Sequence, residues 1–122
     1  MRNTINFKGQ KKFVRTINFY KKQDINNKII GLSRIDEKDN ESLDAHHLID
    51  LEDEQSIENA ANEAKTYGPY QLIIVATGAL HGDDFFPEKS YKQISAKNLK
   101  KVFNINTIGP ALVGKCFIPL LD

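Results

Sequence analysis

The sequence predicts a single α/β domain built on a doubly wound, parallel sheet. Short apolar stretches typical of strands, at residues 28–33 and 71–76, alternate with longer stretches whose apolar residues recur at helical spacing. This alternation is typical of parallel strands joined by right-handed crossovers. The length of 122 residues allows one such domain and no more. We expect the sheet to be incomplete, because a further strand would follow residue 122 in a full domain of this class.

The first half of the chain carries three predicted elements after a polar start. Residues 1–10 are expected to be disordered or, within NTINF, to form a frayed strand. A helix is predicted over residues 11–23, because apolar side chains recur there at helical spacing. Short strands are predicted at residues 28–33 (KIIGLS) and 46–50 (HHLID), and the charged stretch between them is predicted to be a loop.

The middle of the chain predicts a helix followed by a buried strand. The helix is expected over residues 54–66, with Asp53 as its N-cap and Gly68-Pro69 as its stop. The stretch QLIIVA, residues 71–76, is apolar on both faces, a pattern that favours a central strand of a parallel sheet.

The last third predicts a loop and a long helix. Residues 77–89 read as loop, and Ser95 is positioned to cap the helix. Asn106 shares the apolar face of this helix with Leu99 and Phe103, so its amide is expected to be buried and hydrogen-bonded. Pro110 should bend the helix unless it begins a new turn.

Composition excludes several classes of protein. The net charge of +1 provides no strong field for nucleic acid or an acidic membrane. No apolar run approaches the roughly 18 residues of a membrane span, and the start lacks the apolar centre of a signal peptide. The single cysteine, Cys116, allows no internal disulfide and is expected to be a small core residue. A cytoplasmic location is the resulting expectation.

Histidines and carboxylates do not form a convincing metal site in the sequence. His46 and His47 are adjacent on a predicted strand, so their side chains should point to opposite faces. His81 lies near Asp83 and Asp84, but this group is more typical of a polar loop tip. We therefore expect no metal site.

The segment Ala76-Thr77-Gly78 directly follows the predicted strand QLIIVA. Ligands of open parallel sheets bind beyond the carboxyl ends of the strands, and small residues there let a flat group approach the backbone. The alternative is a tight strand-to-helix turn without a ligand. Periodicity alone does not decide between the two.

Four segments resemble the short-chain dehydrogenase/reductase family, and C-factor-like members of it in particular. They are IIGLSR, IDLED, VATG and VFNINTIGP, spread over residues 28–122. The resemblance implies a Rossmann-like fold and an NAD(P)-dependent oxidoreductase ancestry. In the family, the residues after the second strand meet the adenosine ribose. Ser33 and Arg34 stand there, and because Arg suits a 2′-phosphate, the resemblance favours NADP over NAD.

The other segments imply further site residues through the same resemblance. Asp50 and Leu51 match an acidic-apolar pair that contacts adenine. Ala76, Thr77 and Gly78 match a segment that lines the cofactor, although the chain has Val75 and Ala76 where the family has two asparagines. Asn106 matches a catalytic asparagine that holds a water next to the family's catalytic lysine.

The sequence departs from the family where its chemistry is done. Only one glycine, Gly9, precedes Gly31, whereas the family has a glycine-rich turn that holds the pyrophosphate on a helix N-terminus. No tyrosine is followed four residues later by lysine, as the family's Tyr-xxx-Lys requires. We therefore expect a fragment or degenerate relative, truncated at both ends. It should be inactive alone, and its NADP binding should be weak or lost.

Two other functions remain open on the sequence. One is a cofactor-free interaction module associating through the helix at residues 95–121, where Phe117, Ile118, Leu120 and Leu121 are expected to be exposed. The other is a receiver-like regulatory domain, which ranks last because the expected acidic cluster is absent. An unpaired edge at residues 71–76 predicts a homo-oligomer or a partner that supplies strands. No nucleic-acid or membrane partner is expected.

Overall fold

The computed structural model describes residues 3–8, 14–24, 26–35, 43–82 and 84–122. Its sheet consists of β1 (Asn3–Lys8), β2 (Lys28–Ser33), β3 (Ala45–Leu48) and β4 (Leu72–Ala76). Its α-helices are α1 (Val14–Gln23), α2 (Glu54–Ala64), α3 (Ala96–Phe103) and α4 (Gly109–Phe117). Short 3-10 turns cover Lys65–Tyr67, Tyr91–Gln93 and Ile118–Leu120, and a π-helical segment covers Asn104–Ile108.

The four strands are parallel and lie in the order β3-β2-β1-β4, which confirms the predicted α/β fold class. This order is that of the first four strands of the doubly wound dinucleotide-binding fold. The chain moves outward from β1 to β2 and β3, then returns across β1 to place β4 on its other side. The strand order therefore reverses between β1 and β4, the point at which such sheets bind ligands.

The position of β1 corrects the prediction for the start of the chain. Residues expected to be disordered or frayed form the strand that pairs with both β2 and β4. The sequence signal was weak because NTINFK alternates polar and apolar residues, whereas central parallel strands usually read as continuous apolar runs. The helix predicted over residues 11–23 is found as α1, and residues 9–13 lie outside the described part of the chain.

Helices cover both faces of the sheet. On one face, Ile30 and Leu32 of β2 pack with α2 and α4 in the main core, whose centre includes Ile57 and Val113. On the other face, Ile29 packs against Tyr20 of α1 together with Leu43 and Ile74. Because successive residues of β2 point to opposite faces, one strand contributes to both layers. Five of its six residues are buried.

The predicted unpaired edge at residues 71–76 is confirmed, because β4 pairs only with β1 among the described strands. The expectation that this strand is central and deeply buried is wrong for the described sheet. None of its five residues is fully buried, and Val75 is 38% exposed. The apolar pattern correctly indicated a parallel strand, but the burial of a strand depends on the neighbours that cover it.

The helix α2 follows its sequence signals closely. The Asp53 carboxylate accepts a hydrogen bond from the Gln55 backbone N–H at 3.0 Å, as an N-cap does. Its predicted apolar face is buried in the main core: Ile57, Ala60, Ala61 and Ala64. Strand and helix boundaries elsewhere differ little from prediction, since the strand predicted at residues 46–50 is found at Ala45–Leu48.

The long predicted helix is divided into three consecutive parts. Ser95 caps α3 by accepting a hydrogen bond from the Asn98 N–H, the π-helical segment follows, and Pro110 lies in the first turn of α4. Proline is common in the first turn of a helix. Phe117 was expected to be exposed but is fully buried in the main core, because α4 presents it together with Val113 to the sheet and α2.

The other residues near the chain end divide between surface and core. Ile118 is 63% exposed and Leu121 is 41% exposed, as expected, whereas Leu120 is half-buried against the main core. Cys116 is also half-buried there, in agreement with its expected packing role. No helix in the described part of the chain is long and apolar enough to cross a membrane.

Candidate functional site

A small cavity lies beyond the carboxyl ends of three strands. It has a volume of about 80 Å³. Its lining comes from the end of β2, the turn after β3, the loop after β4 and the π-helical segment: Leu32, Ser33, Arg34, Ile49, Asp50, Leu51, Glu52, Thr77, Gly78, Ala79 and Ile105. Six of the eight site residues predicted from the sequence are therefore brought together in one place: Ser33, Arg34, Asp50, Leu51, Thr77 and Gly78.

The end of β2 is firmly held. Ser33 is buried, and its hydroxyl donates to the Ile35 carbonyl oxygen at 2.7 Å. Its own carbonyl oxygen accepts a hydrogen bond from the Ile49 N–H at 3.0 Å, which extends the pairing with the neighbouring strand. Arg34, between these anchored residues, is exposed at the cavity rim. A guanidinium there is accessible to an anionic group of a ligand.

The turn after β3 forms the second wall. The Asp50 carboxylate accepts a hydrogen bond from the Glu52 N–H at 3.0 Å, so part of its capacity is used to shape the turn. Leu51 is buried and belongs to the main core. A Cβ added at Gly109 would lie 2.8 Å from both the Cβ and the carbonyl oxygen of Leu51. The start of α4 can therefore approach this turn only because residue 109 is glycine.

The loop after β4 provides the third wall. The Thr77 hydroxyl oxygen is buried and has no hydrogen-bond partner among the described residues. An unsatisfied buried hydroxyl is costly, and Thr77 belongs to the lining, so a polar ligand atom that reached this hydroxyl would be stabilised. Gly78 adds no side chain, and Ala79 completes the wall. Ala76 is the last residue of β4 and is not among the described lining residues, so its predicted part in cofactor binding stays a prediction.

Asn106 is placed differently from the prediction. It is exposed, as are Leu99 and Phe103, so the apolar face of the helix is not buried as expected. Its amide nevertheless makes two hydrogen bonds: Oδ1 accepts from the Ala79 N–H at 2.7 Å, and Nδ2 donates to the Ala79 carbonyl oxygen at 2.9 Å. Asn106 thus fixes the loop after β4 to the helix. Its catalytic role stays a prediction.

An ion pair joins α3 to the loop that precedes it, within electrostatic range of the cavity residues Glu52 and Arg34. Lys101 Nζ is 2.8 Å from Asp84 Oδ1 and stands over the Phe85 ring at 5.1 Å from its centroid. The hydrogen bond from Lys101 lowers the pKa of the Asp84 carboxyl, and the same bond raises the pKa of Lys101. Because Asp84 already pairs with a lysine, the cation site considered for this loop loses one ligand.

The described residues include no group of three or more His, Cys, Asp or Glu side chains that could hold a metal ion. Asp83, which the sequence placed in the candidate group at the loop tip, lies outside the described residues. His46 and His47 point to opposite faces of β3, as predicted. His46 Nε2 is 2.8 Å from the Ser33 hydroxyl oxygen, whereas His47 Nδ1 is 2.8 Å from a Glu63 carboxylate oxygen on α2.

Sequence reasoning missed five lining residues: Leu32, Ile49, Glu52, Ala79 and Ile105. Each of them is a direct neighbour of a predicted residue, and four are apolar side chains, which a search for chemical groups passes over. Ile105 had the least signal, because its contribution depends on the π-helical segment, which shifts the helix face relative to an α-helical pattern.

Comparison with protein-family models finds no match, and comparison with curated proteins finds none either. Solved structures do match. A short-chain dehydrogenase family protein from Francisella tularensis is 21% identical, with a TM-score of 0.78 over 100% of this chain and 47% of its own. A short-chain dehydrogenase/reductase from Saccharomyces cerevisiae is 15% identical, with a TM-score of 0.77 over 98% of this chain and 48% of its own.

A third structure contains a nucleotide. It is a short-chain dehydrogenase/reductase from Burkholderia multivorans with bound NADP, 15% identical, with a TM-score of 0.75 over 100% of this chain and 55% of its own. The chain has the fold of the short-chain dehydrogenases/reductases. It spans about half the length of the structures it matches. The sequence resemblance began at residue 28, but the structural match extends through β1 and α1 as well.

Proposed function

We propose that the chain is a nucleotide-binding unit of the short-chain dehydrogenase/reductase family that takes the adenosine end of NADP in the cavity beyond β2, β3 and β4. The observation that carries this proposal is the convergence of three strand ends on one cavity in a sheet of order β3-β2-β1-β4. Such sheets bind dinucleotides beyond their carboxyl ends, at the point where strand order reverses.

The residues present suit an adenosine group. Ile49, Leu51 and Ile105 line the cavity together with Thr77, whose buried hydroxyl has no hydrogen-bond partner among the described residues. The volume of about 80 Å³ is well below the roughly 300 Å³ of a small complete ligand site. The cavity therefore suits one part of a dinucleotide, and the remainder would lie along the carboxyl ends of the strands.

The preference for NADP over NAD rests on the end of β2. In this fold an acidic side chain at that place binds the ribose 2′-hydroxyl, whereas an arginine accommodates a 2′-phosphate. The chain has Ser33 and Arg34 there. A carboxylate does approach the same cavity, at Glu52, but it comes from the turn after β3. Several of the matching structures hold NADP or NADPH, which is in keeping with this preference.

We expect affinity to be weak and catalysis to be absent from the isolated chain. The segment between β1 and α1 contains one glycine, and those residues lie outside the described part of the chain. The sequence has no Tyr-xxx-Lys, so the general acid of the family's hydride transfer has no counterpart in it. The C-factor-like subgroup and a cytoplasmic location remain parts of this proposal.

Binding is tested with fragments of the cofactor. Calorimetric titration with 2′,5′-ADP and with 5′-AMP isolates the contribution of the 2′-phosphate. We expect 2′,5′-ADP to bind more tightly, and Arg34→Ala to remove about tenfold of that advantage, as the loss of a charge-assisted contact would. Lys92→Ala, which removes an exposed cation from the Tyr91–Gln93 turn, is the control and should change neither affinity. Equal affinity of the two nucleotides for the unaltered chain would refute NADP selection.

Activity is tested separately. The purified chain is incubated with NADPH and a panel of aldehydes and ketones while absorbance of the reduced nicotinamide is followed. We expect no turnover above a protein-free blank. Turnover that co-purifies with the chain would show that a different general acid operates. The expectation of an inactive chain, which rests on the lack of Tyr-xxx-Lys, would then be wrong.

A second candidate function is association through exposed apolar surface. Phe103 is 57% exposed, Ile108 is 50% exposed and Ile118 is 63% exposed, all within the helix predicted as an interaction element. The outer edge of β4, which pairs with no second strand among those described, offers backbone groups for pairing in addition. We propose that the chain forms a homo-oligomer or recruits a partner that supplies strands. A monodisperse monomer in light scattering at micromolar concentration, with slow hydrogen exchange in β4, would contradict this candidate.

A further inference from the structure

Three successively hydrogen-bonded groups, the His46 imidazole, the Ser33 hydroxyl and the Ile35 carbonyl, fix the turn that carries Arg34. The imidazole of His46 on β3 lies 2.8 Å from the Ser33 hydroxyl oxygen through Nε2. The same hydroxyl lies 2.7 Å from the Ile35 carbonyl oxygen. Ser33 and Ile35 flank Arg34, so the two contacts hold the backbone on either side of the one arginine found among the described lining residues.

The donor and the acceptor in each of these two hydrogen bonds can be assigned. A hydroxyl has one hydrogen, and a carbonyl oxygen can only accept. The Ser33 hydroxyl must therefore donate to Ile35, and His46 Nε2 must carry a hydrogen and donate to Ser33. The hydrogen of Ser33 is used within the protein. Ser33 thus has no hydroxyl hydrogen left for a ligand in this arrangement, although the sequence placed it among the binding residues.

The neighbouring strand makes room for the imidazole. His46 pairs in register with Gly31 of β2, and a Cβ added at Gly31 would lie 3.3 Å from His46 Cδ2. The ring therefore lies over residue 31 and reaches residue 33, two positions further along the same face. His46 is outside the lining of the cavity and cannot be a direct ligand contact there.

We propose that His46 is a positioning residue for recognition of 2′-phosphorylated adenine nucleotides, acting through Ser33 on the turn that carries Arg34. The inference rests on the proposed function and adds to it the group that presets the arginine. Arg34 itself makes the contact with the phosphate. Nucleotides without a 2′-phosphate do not use this arrangement, so their affinity should not depend on His46.

The test uses a matched pair of adjacent histidines. His46→Phe keeps a ring but removes the donor to Ser33, whereas His47→Phe alters the other face of β3, where the contacts are with Glu63 and Tyr67. Dissociation constants for 2′,5′-ADP and 5′-AMP are measured on each folded variant. We expect His46→Phe to weaken 2′,5′-ADP about fivefold to tenfold, the scale of one misplaced hydrogen-bonded contact, and to leave 5′-AMP unchanged. His47→Phe should preserve the ratio of the two constants.

Two further variants separate positioning from loss of fold. His46→Gln retains a side-chain N–H donor and should restore most of the preference for 2′,5′-ADP. Ser33→Ala removes both hydrogen bonds without altering the imidazole and should reproduce the effect of His46→Phe, with little added effect in the double variant. These two variants decide the question if His46→Phe fails to fold.

The outcomes distinguish this inference from the proposed function. If the unaltered chain discriminates between the two nucleotides but His46→Phe and Ser33→Ala keep the same ratio, His46 has no positioning role and the inference is wrong. If the unaltered chain binds neither nucleotide, or binds both equally, the proposed function fails and the inference fails with it. A proportional loss of both affinities in His46→Phe would indicate general structural damage and would also overturn the inference.

Discussion

Two strands that were both predicted from apolar sequence, β2 and β4, have very different surroundings. Five of the six residues of β2 are buried, whereas none of the five residues of β4 is fully buried. β2 pairs with a strand on each side, while β4 pairs only with β1 among the described strands. Apolar sequence therefore identified both strands, but burial was decided by the number of neighbours. A strand's composition and its place in the sheet are separate questions.

The same difference separates the two sides of the candidate site. At the β2 side, Ser33 and Leu51 are buried and tied to neighbouring elements. At the β4 side, the loop is held by the paired contacts between Asn106 and Ala79, and the residues around it are largely exposed. The side that would receive the adenosine phosphate is thus built into the core. The other side depends on a few polar contacts.

The largest expected effect compares neighbouring residues at the end of α4. Phe117 is fully buried and Ile118 is 63% exposed. Phe117→Ala should lower the free energy of unfolding by about 3–5 kcal/mol, because it leaves a large cavity in the main core. Ile118→Ala should change it by less than about 0.5 kcal/mol. Urea unfolding followed by circular dichroism measures both. Similar losses for the two variants would show that the outer side of α4 is covered in solution.

The second prediction compares two glycines of α4. Gly109→Ala should destabilise the chain by up to about 3 kcal/mol, because the new Cβ would lie 2.8 Å from a backbone oxygen that cannot easily move. Gly114→Ala is the control, since its Cβ would meet only Ile118 Cδ1 at an ordinary 3.7 Å. It should stabilise the helix by about 0.5–1 kcal/mol. Thermal unfolding gives both signs, and a neutral Gly109→Ala would mean that the turn at Leu51 yields.

Sequence signals recovered the local elements better than their positions. The cap at Asp53 and the buried face of α2 are set by neighbouring residues, so pattern alone was sufficient. The central place of β1 was missed because strand order depends on crossovers between distant segments. Phe117 was assigned to the surface for the same reason, since its partners lie on α2 and the sheet.

The candidate site shows where sequence reasoning reaches its limit. Residues at strand ends were found because parallel strands place their carboxyl ends together. His46 was considered only as a metal ligand, although its contact is with Ser33 on the neighbouring strand. That contact depends on strand register, which one sequence does not specify. Thr77 was expected at the site, but the absence of a partner for its hydroxyl could be learned only from the packing.

The third prediction concerns Tyr70, two residues before β4. Tyr70 is fully buried, and its hydroxyl donates to the Ala64 carbonyl oxygen at 2.6 Å. Tyr70→Phe should cost about 1–2 kcal/mol at neutral pH, because the Ala64 oxygen loses its partner in the core. Tyr91→Phe, at a side chain that is 79% exposed, is the control and should be neutral.

The same residue predicts a pH dependence. Burial, together with the nearby Tyr67, raises the pKa of Tyr70 to about 12 from a usual value of 10.0. At a pH between these two pKa values, the Tyr70 hydroxyl is deprotonated in the unfolded chain and protonated in the folded chain. The stabilisation is therefore complete below pH 10 and is lost as pH rises towards 12, by an amount of about 2 kcal/mol. Tyr70→Phe should lack this component of alkaline destabilisation, whereas Tyr91→Phe should retain it.

The smallest expected effect on stability is at Thr77, on the β4 side of the candidate site. A substitution there should leave the free energy of unfolding unchanged or raise it, while it lowers nucleotide affinity. Thr77→Val keeps the shape of the side chain and removes a buried hydroxyl that has no partner among the described residues. Since no hydrogen bond to a described residue is lost, the free energy of unfolding should be unchanged or rise by less than about 1 kcal/mol. Affinity for 5′-AMP should fall several-fold, because the hydroxyl is then missing from the wall that meets the nucleotide.

Thr66→Val is the control for this substitution. The Thr66 hydroxyl donates to the Glu63 carbonyl oxygen at 2.8 Å, away from the cavity lining, so the variant should lose a little stability and keep its nucleotide affinity. If Thr77→Val binds 5′-AMP as well as the unaltered chain does, the loop after β4 takes no polar part in binding, and recognition lies wholly on the β2 side.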